Sequence, residues 1–382
     1  MPATLSATFH LTHNCNLRCA YCYTGEKTHR PMQIDTANAA IDFVLSEARK
    51  SNVQYLDITF FGGEPLIESE LLFLIADRFR NEKSLDQLLS FRLSTNGTLL
   101  TEHLMEQMMQ REIYVSLSVD GPPDIHDLQR VNVAGKGSSQ AVEKAIQVLL
   151  KANPCANVTC VLTPTSASRA YDCIDWLFNK GFRYFNLTLD YGADWTMSDM
   201  KKLESSYREL GIWYEQKISK NHRFYLSCFD ERIRSRTMGK ISNSEKCDLG
   251  FRQFSIAPDG GLYPCTQFVT TAGLPEFLIG HVKQGGFNHD CRKYVHNCSE
   301  SPKPECKGCA LTDRCASWCS CINFASTGSV TSASPVICHH ERVLIPIVDE
   351  MANRLWRKRN RMFLHKHYNP SYPLIDFLEH IV

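Results

Sequence analysis

Residues 15 to 24 read CNLRCAYCYT and set three cysteines, Cys15, Cys19 and Cys22, at the spacing C-x3-C-x2-C. Thiolates are the preferred ligands of zinc and of iron–sulfur clusters, and a closed shell of either kind normally uses four protein ligands. Three thiolates in one loop can hold three irons of a cubane and leave the fourth open to a substrate or cofactor. The competing reading is a zinc site in which His10 or His13 supplies the fourth ligand.

A second concentration of cysteine lies downstream. Cys306, Cys309, Cys315 and Cys319 follow C-x2-C-x5-C-x3-C; Cys247 and the G-x4-C element Gly260–Cys265 precede them, and Cys338 follows. A zinc ribbon explains four such residues but not seven in this order. The chain has 17 cysteines, and its N-terminus lacks the basic and apolar regions of a secretory leader. A reducing cytoplasm is therefore expected, with ligation rather than disulfides as the use of the thiols. Cys155, Cys160 and Cys173 fall on apolar segments and read as core.

Three short motifs carry further chemistry: FFGGEP at 60–65, STNG at 94–97 and SVDG at 118–121. Paired glycines allow close backbone approach, a carboxylate suits an ammonium group, and hydroxyls suit a ribose. Each motif ends a predicted strand, the end of an α/β scaffold where ligands bind.

The elements that must position these groups are six β-rich runs at 5–12, 55–62, 89–95, 114–120, 157–163 and 184–190. Helical patterns separate them, as in 35–50, with Ala39, Ala40, Phe43 and Val44 on one face, and in 139–152. A parallel α/β sheet follows, either a partial barrel or an open doubly wound sheet. A helix at about 198–220, a Cys-, Gly- and Pro-rich stretch over 240–340 and a helical tail from 341 complete the chain. With 42 Lys+Arg against 41 Asp+Glu, composition motivates no nucleic-acid partner, and no apolar run is long enough to suggest a membrane span.

With an aromatic, Tyr21, before the third cysteine and GGEP after the next strand, the sequence resembles the radical S-adenosylmethionine (radical SAM) superfamily. The downstream pattern resembles its SPASM extension. The resemblance implies a partial (β/α)6 TIM-type barrel over 1–225, an auxiliary-cluster domain over 226–340 and a helical tail over 341–382. It implies S-adenosylmethionine and three [4Fe-4S] clusters, about 12 irons per chain. One cluster would sit on Cys15, Cys19 and Cys22, one on Cys306, Cys309, Cys315 and Cys338, and a nearer one on Cys247, Cys265 and Cys319. That nearer set lacks a fourth ligand, for which Cys228, Cys291, Cys298, Cys321 or a substrate thiolate are the choices. Tyr21, Gly62, Gly63, Glu64, Ser94, Asn96, Ser118, Asp120 and Leu187 would contact S-adenosylmethionine.

Family members of this kind modify peptides and proteins. In its sulfatase maturases an aspartate base follows the cysteine of G-x4-C, whereas this chain has Thr266 and Gln267. The expectation is therefore a maturase that installs a thioether or carbon crosslink in a ribosomally made precursor peptide. Sulfatase maturation is the alternative, and a zinc-organised binding module the reading outside enzymes. A flavodoxin or ferredoxin would supply electrons. The loop at residue 15 leaves no room before it for a leader-binding domain, so a leader would meet the basic run at 354–367, or a partner protein. His365 and His367 read as surface residues; Asp190, Tyr191 and Asp194 are candidates to face the substrate.

Overall fold

The structure is a computed structural model that describes residues 4–82, 88–239 and 247–372. Six parallel strands form its centre: β1 (Thr4–His10), β2 (Tyr55–Phe61), β3 (Leu88–Thr95), β4 (Ile113–Ser118), β5 (Asn157–Leu162) and β6 (Tyr184–Leu189). The intervening helices are α1 (Ile34–Lys50), α2 (Ser69–Arg80), α3 (Glu102–Gln110), α4 (Pro123–Gln129), α5 (Ser139–Ala152) and α6 (Ala170–Lys180). After β6 comes α7 (Met197–Ser219). Strands adjacent in the chain are adjacent in the sheet, from β1 through β6. Right-handed crossovers in an order that never reverses put every helix on one face and curl the sheet, whereas a doubly wound sheet needs a reversal. Strand order thus decides between the two architectures, in favour of the barrel type.

The barrel does not close. Beyond β6 lies a two-residue strand, Tyr225–Leu226, and on the free edge of β1 the chain adds β7 (Gln253–Ile256) in parallel. An antiparallel strand, β8 (Gly261–Tyr263), pairs with β7. The cysteine-rich region therefore extends the same sheet. Its helices are α8 (Ser227–Thr237), α9 (His289–Glu300) and α10 (Ser320–Thr327).

Alternation along the strands separates two faces. Leu56, Ile58 and Phe60 of β2, or Phe185, Leu187 and Leu189 of β6, are buried against the helices, while Thr59, Ser94, Ser118, Thr159 and Asn186 alternate onto the opposite, polar face. Leu187 is thereby corrected. It is 4% exposed and its N–H donates to Ser227 Oγ on α8 at 3.1 Å, so it belongs to the helix-facing core and not to a ligand pocket. Helix α1 is likewise rotated from its predicted face. Ala37, Ala40, Ile41, Val44 and Ala48 are buried, and Phe43 turns sideways to meet Phe254 of β7 and Phe287.

The tail also differs from expectation. Its helix, α11 (Pro335–Arg357), begins earlier, because Ser334 Oγ accepts the Ile337 N–H and Pro335 opens the first turn. Arg359, at φ 49°, breaks the run before α12 (Arg361–Tyr368). Residues 373–382 of the expected tail lie outside the described residues. His367 is not a surface residue. It and Lys366 are buried with Asp230 of α8: Lys366 Nζ lies 2.6 Å and His367 Nε2 3.4 Å from its carboxylate, and Tyr214 OH donates to it at 2.8 Å. Burial holds the His367 pKa down at about 3, so Lys366 is the cation that balances Asp230. No helix among the described residues is long and apolar enough to cross a membrane.

Replacing Asp230 with alanine strands a buried ammonium. A loss of about 3–5 kcal/mol is expected in urea denaturation, the usual cost of breaking one side of a buried pair.

Candidate active site

The cysteine loop leaves β1 at its C-terminal end. Leu17–Cys19 pairs antiparallel with Arg130–Asn132, and the Ala20 N–H donates to Gln129 O at 2.9 Å. At the centre of this attachment is a buried ion pair. Arg130 donates to both oxygens of Asp120, at 2.8 and 3.1 Å, and Tyr21 OH donates to Asp120 at 2.7 Å. The guanidinium also lies over the Tyr21 ring at 5.3 Å. Burial opposes a charge on Arg130, but Asp120, Tyr21 and Cys19 together outweigh it and raise the pKa well above the ordinary value. Asp120 is 0% exposed and its Oδ1 further accepts the Val161 N–H. The SVDG carboxylate is thus engaged in holding the loop, with Tyr21 as its handle.

The GGEP turn makes a second attachment. The N–H groups of Gly63 and Glu64 donate to Thr12 O and Asn14 O, at 2.8 and 2.9 Å. A Cβ on Gly63 would stand 2.1 Å from Asn14 O, and one on Gly62, at φ +140°, 2.5 Å from Thr12 O. The segment leading into Cys15 is therefore itself a reason for both glycines. Glu64 is fully buried and accepts from Thr95 Oγ1, the Asn96 N–H and the Leu66 N–H, at 2.7, 2.8 and 3.0 Å. Burial pushes its pKa up against these donors. Its carboxylate ties GGEP to STNG.

STNG supplies the third attachment. Asn96 Nδ2 donates to Asn16 Oδ1 at 2.9 Å and lies 3.8 Å from Cys15 Sγ, while Thr98 donates to its carbonyl. Ser94 and Ser118 are half-buried on the polar face, in register with Ser116 and Thr159 respectively. Sequence reading missed Thr95, inside STNG but not singled out there, and Arg130 and Lys27, which lie outside every motif.

The three thiols differ. Burial raises the pKa of Cys15, and pushes that of Cys19 up to about 11. For Cys22 burial acts the same way, yet Lys27 Nζ at 2.9 Å and Thr24 bring the value below the ordinary one. Cys22 also raises Cys15, and both raise Cys19, through like-charge repulsion that a cationic cluster relieves. This donor set suits an iron–sulfur group. Among the described residues, no three Cys, His, Asp or Glu side chains are set to hold a single metal ion.

The downstream cysteines gather in two places. Cys306, Cys309, Cys315 and Cys338 line one small cavity, with Cys338 in the first turn of α11. Glu341 on that helix pairs with buried Arg232 and accepts the Ala316 N–H at 3.3 Å, which fixes the Cys315 loop. Cys265 follows β8, acts electrostatically on Cys247, and sits close to the first loop. The Thr271 N–H donates to Thr24 O at 3.0 Å, and Thr266 Oγ1 lies 2.8 Å from His10 Nε2 and 3.5 Å from Tyr23 OH. Burial, with His13, lowers the His10 pKa to about 3; its Nδ1 has no hydrogen-bond partner among the described residues.

Asp190 is half-buried after β6, with its pKa raised by burial; Tyr191 is enclosed beside His340, and Asp194 is exposed. Cys160 and Cys173 are core, as expected, but Cys155 is half-buried. It borders a cavity of 780 Å³ at the opposite, N-terminal ends of β4–β6, lined also by Tyr114, Tyr184 and Phe224.

Residues 9–177 match the Radical SAM superfamily. The chain carries a radical SAM domain. It is accordingly an enzyme. It is 26% identical to the cysteine-type anaerobic sulfatase-maturating enzyme of Clostridium perfringens (strain 13) over 333 residues, covering 80% of this chain and 85% of that one. Against the serine-type enzyme of Bacteroides thetaiotaomicron it is 21% identical over 389 residues, covering 90% of each. The radical SAM domain and the region after it share their fold with native anSMEcpe bound to AdoMet and the Cp18Cys peptide. The TM-score is 0.77 at 22% identity, covering 92% of this chain and 99% of that one. These likenesses favour the sulfatase-maturase alternative over the precursor-peptide crosslink expected from Thr266.

Arg130→Gln removes the cation from buried Asp120. A loss of about 3–5 kcal/mol is expected by denaturation, together with a lower iron content read by metal analysis. Gly63→Ala is expected to abolish soluble folding.

Proposed function

We propose that the chain is a radical SAM maturase of the sulfatase-maturing type, which oxidises a cysteine or serine side chain in a protein or peptide. The observation that carries this reading is the convergence of SVDG, GGEP and STNG on one three-thiol loop through Asp120, Glu64 and Asn96. Its extension to a sulfatase-type substrate rests on the relatives named above, which align over 80% and 90% of this chain.

Cys15, Cys19 and Cys22 would hold a [4Fe-4S] cluster that, with S-adenosylmethionine, supplies a 5′-deoxyadenosyl radical. The backbone of Gly62 and Gly63 would bind the methionine end, and the hydroxyls of Ser94 and Ser118 its carboxylate and ribose. Tyr21, Glu64, Asn96 and Asp120 keep those groups in place through the hydrogen bonds described. Residues 226–340 would form an auxiliary domain with clusters on Cys306, Cys309, Cys315 and Cys338 and on Cys247, Cys265 and Cys319, the tail at 341–382 packing behind. A flavodoxin or ferredoxin would reduce the enzyme.

For a cysteine substrate the bookkeeping is a two-electron oxidation. The side chain would lose one hydrogen atom from Cβ, one electron and the thiol proton; the cluster with S-adenosylmethionine would supply the hydrogen acceptor, and the auxiliary cysteines would hold the group that takes the electron. The resulting thioaldehyde reacts with water to give the aldehyde and hydrogen sulfide. Thr266 stands where a maturase aspartate is expected, and its hydroxyl is paired with His10. Burial keeps that imidazole neutral and makes it a poor base, so His10 would orient the Thr266 hydroxyl rather than take the substrate proton.

The test is anaerobic incubation with S-adenosylmethionine, dithionite and sulfatase-derived peptides bearing cysteine or serine. Aldehyde captured by a hydrazine reagent and read by mass spectrometry is the expected result. Cys15→Ala should abolish deoxyadenosine release. The missing aspartate specifically favours one other reading, a crosslink in a precursor peptide. Peptides encoded beside the gene that lose two hydrogens, with sulfatase peptides untouched, would establish that reading instead.

A further inference from the structure

The three cysteines Cys247, Cys265 and Cys319 leave a shell of four one ligand short, and the fold answers which group stands there. We propose that Cys321 is the fourth thiolate, closing with Cys247, Cys265 and Cys319 the shell of one [4Fe-4S] cluster; this rests on the iron–sulfur reading above.

Cys319 caps α10 and Cys321 is the second residue of that helix, 5% exposed. The Cys321 thiol is within hydrogen-bonding reach of both Cys265 and Cys319, and Cys247 interacts with the same two. The backbone N–H groups of Cys321 and Ile322 hydrogen-bond to Cys319 sulfur at the start of α10. Hydrogen bonds to sulfur are one means by which a protein tunes such a cluster.

The rival cysteines lie on other helices. Cys228 is buried on α8 beside Tyr207 and Arg232. Cys291 is exposed near the start of α9, and Cys298 lies about two turns further along the same helix. An aromatic wall holds the two segments that matter together. Phe268, three residues after Cys265, stacks on Phe277 at 4.0 Å and meets Phe324, one turn beyond Cys321, at 5.5 Å.

With four protein thiolates the nearer cluster has no iron open to a substrate thiol. Substrate chemistry is then confined to the first loop, and the nearer cluster only passes electrons. This assignment separates the chain from an enzyme that captures its peptide's cysteine on an auxiliary iron.

The experiment compares full-length wild type, Cys321→Ala, Cys321→Ser and Cys298→Ala, all isolated anaerobically, by iron and sulfide analysis and by electron paramagnetic resonance after graded reduction. The expected result is about 12 irons in wild type and in Cys298→Ala, with about four fewer or a three-iron signal in Cys321→Ala. Cys321→Ser, nearly isosteric, should fold and shift one auxiliary signal. Added 2-mercaptoethanol should perturb that signal in the Cys321 variants and leave wild type unchanged. Identical iron content and spectra in wild type and both Cys321 variants would overturn the assignment, as would a wild-type auxiliary signal that responds to 2-mercaptoethanol. A wild type with no iron would instead overturn the enzyme reading as a whole.

Discussion

The site depends on a charge pair that water never sees. Asp120 and Arg130 are both buried, and their mutual attraction offsets the cost of removing each from solvent only while the geometry stays bidentate. Such a pair contributes less to net stability than to uniqueness, because alternatives leave a bare charge in the interior. Here the uniqueness is spatial. Asp120 ends one strand, Arg130 lies on the ladder that carries the cysteine loop, and Tyr21 within that loop completes the acceptor set. The ends of β2 and β3 add constraints of the same kind through Glu64 and Asn96. A flexible thiol-bearing loop thereby becomes a fixed one.

The same logic recurs in the second half of the molecule. Arg232 and Glu341 form another buried pair, and the free valence of Glu341 reaches the backbone at Ala316 beside Cys315. Asp230, Tyr214 and Lys366 do the equivalent for α12. The loops of Cys15–Cys22 and of Cys315 are thus each held by a nearby salt bridge rather than by the thiols alone. Apolar packing supplies the bulk of the cohesion; buried charges select the register.

Much of this was legible in the sequence, for identifiable reasons. The six strands announce themselves by β-branched alternation, and the observed strands fall within a residue or two of their predicted positions. The cysteine spacings are short-range and survive without structure. What was hidden is long-range. Nothing local distinguishes Arg130 from a surface arginine, and GGEP offers no hint that its glycines face Asn14 and Thr12 as well as any ligand. Leu187 went astray because analogy chose the strand but not the face, which alternation decides. His367 was misjudged because a basic run looks solvated until its neighbour Asp230, more than a hundred residues away, is brought beside it.

The pairing of β7 with β1 has a consequence for how the two halves of the enzyme communicate. Ser6 to Phe9 lies in register with Gln253 to Ile256, and the chain reaches Cys15 from one of these strands and Cys265 from the hairpin on the other. A ladder of backbone hydrogen bonds does not swing as a linker does. The two thiol sites are mounted like posts on one beam, and the gap between them is set when the sheet folds. Electron tunnelling falls steeply with distance, so if both sites hold clusters, the register of this sheet helps to set how fast electrons cross between them.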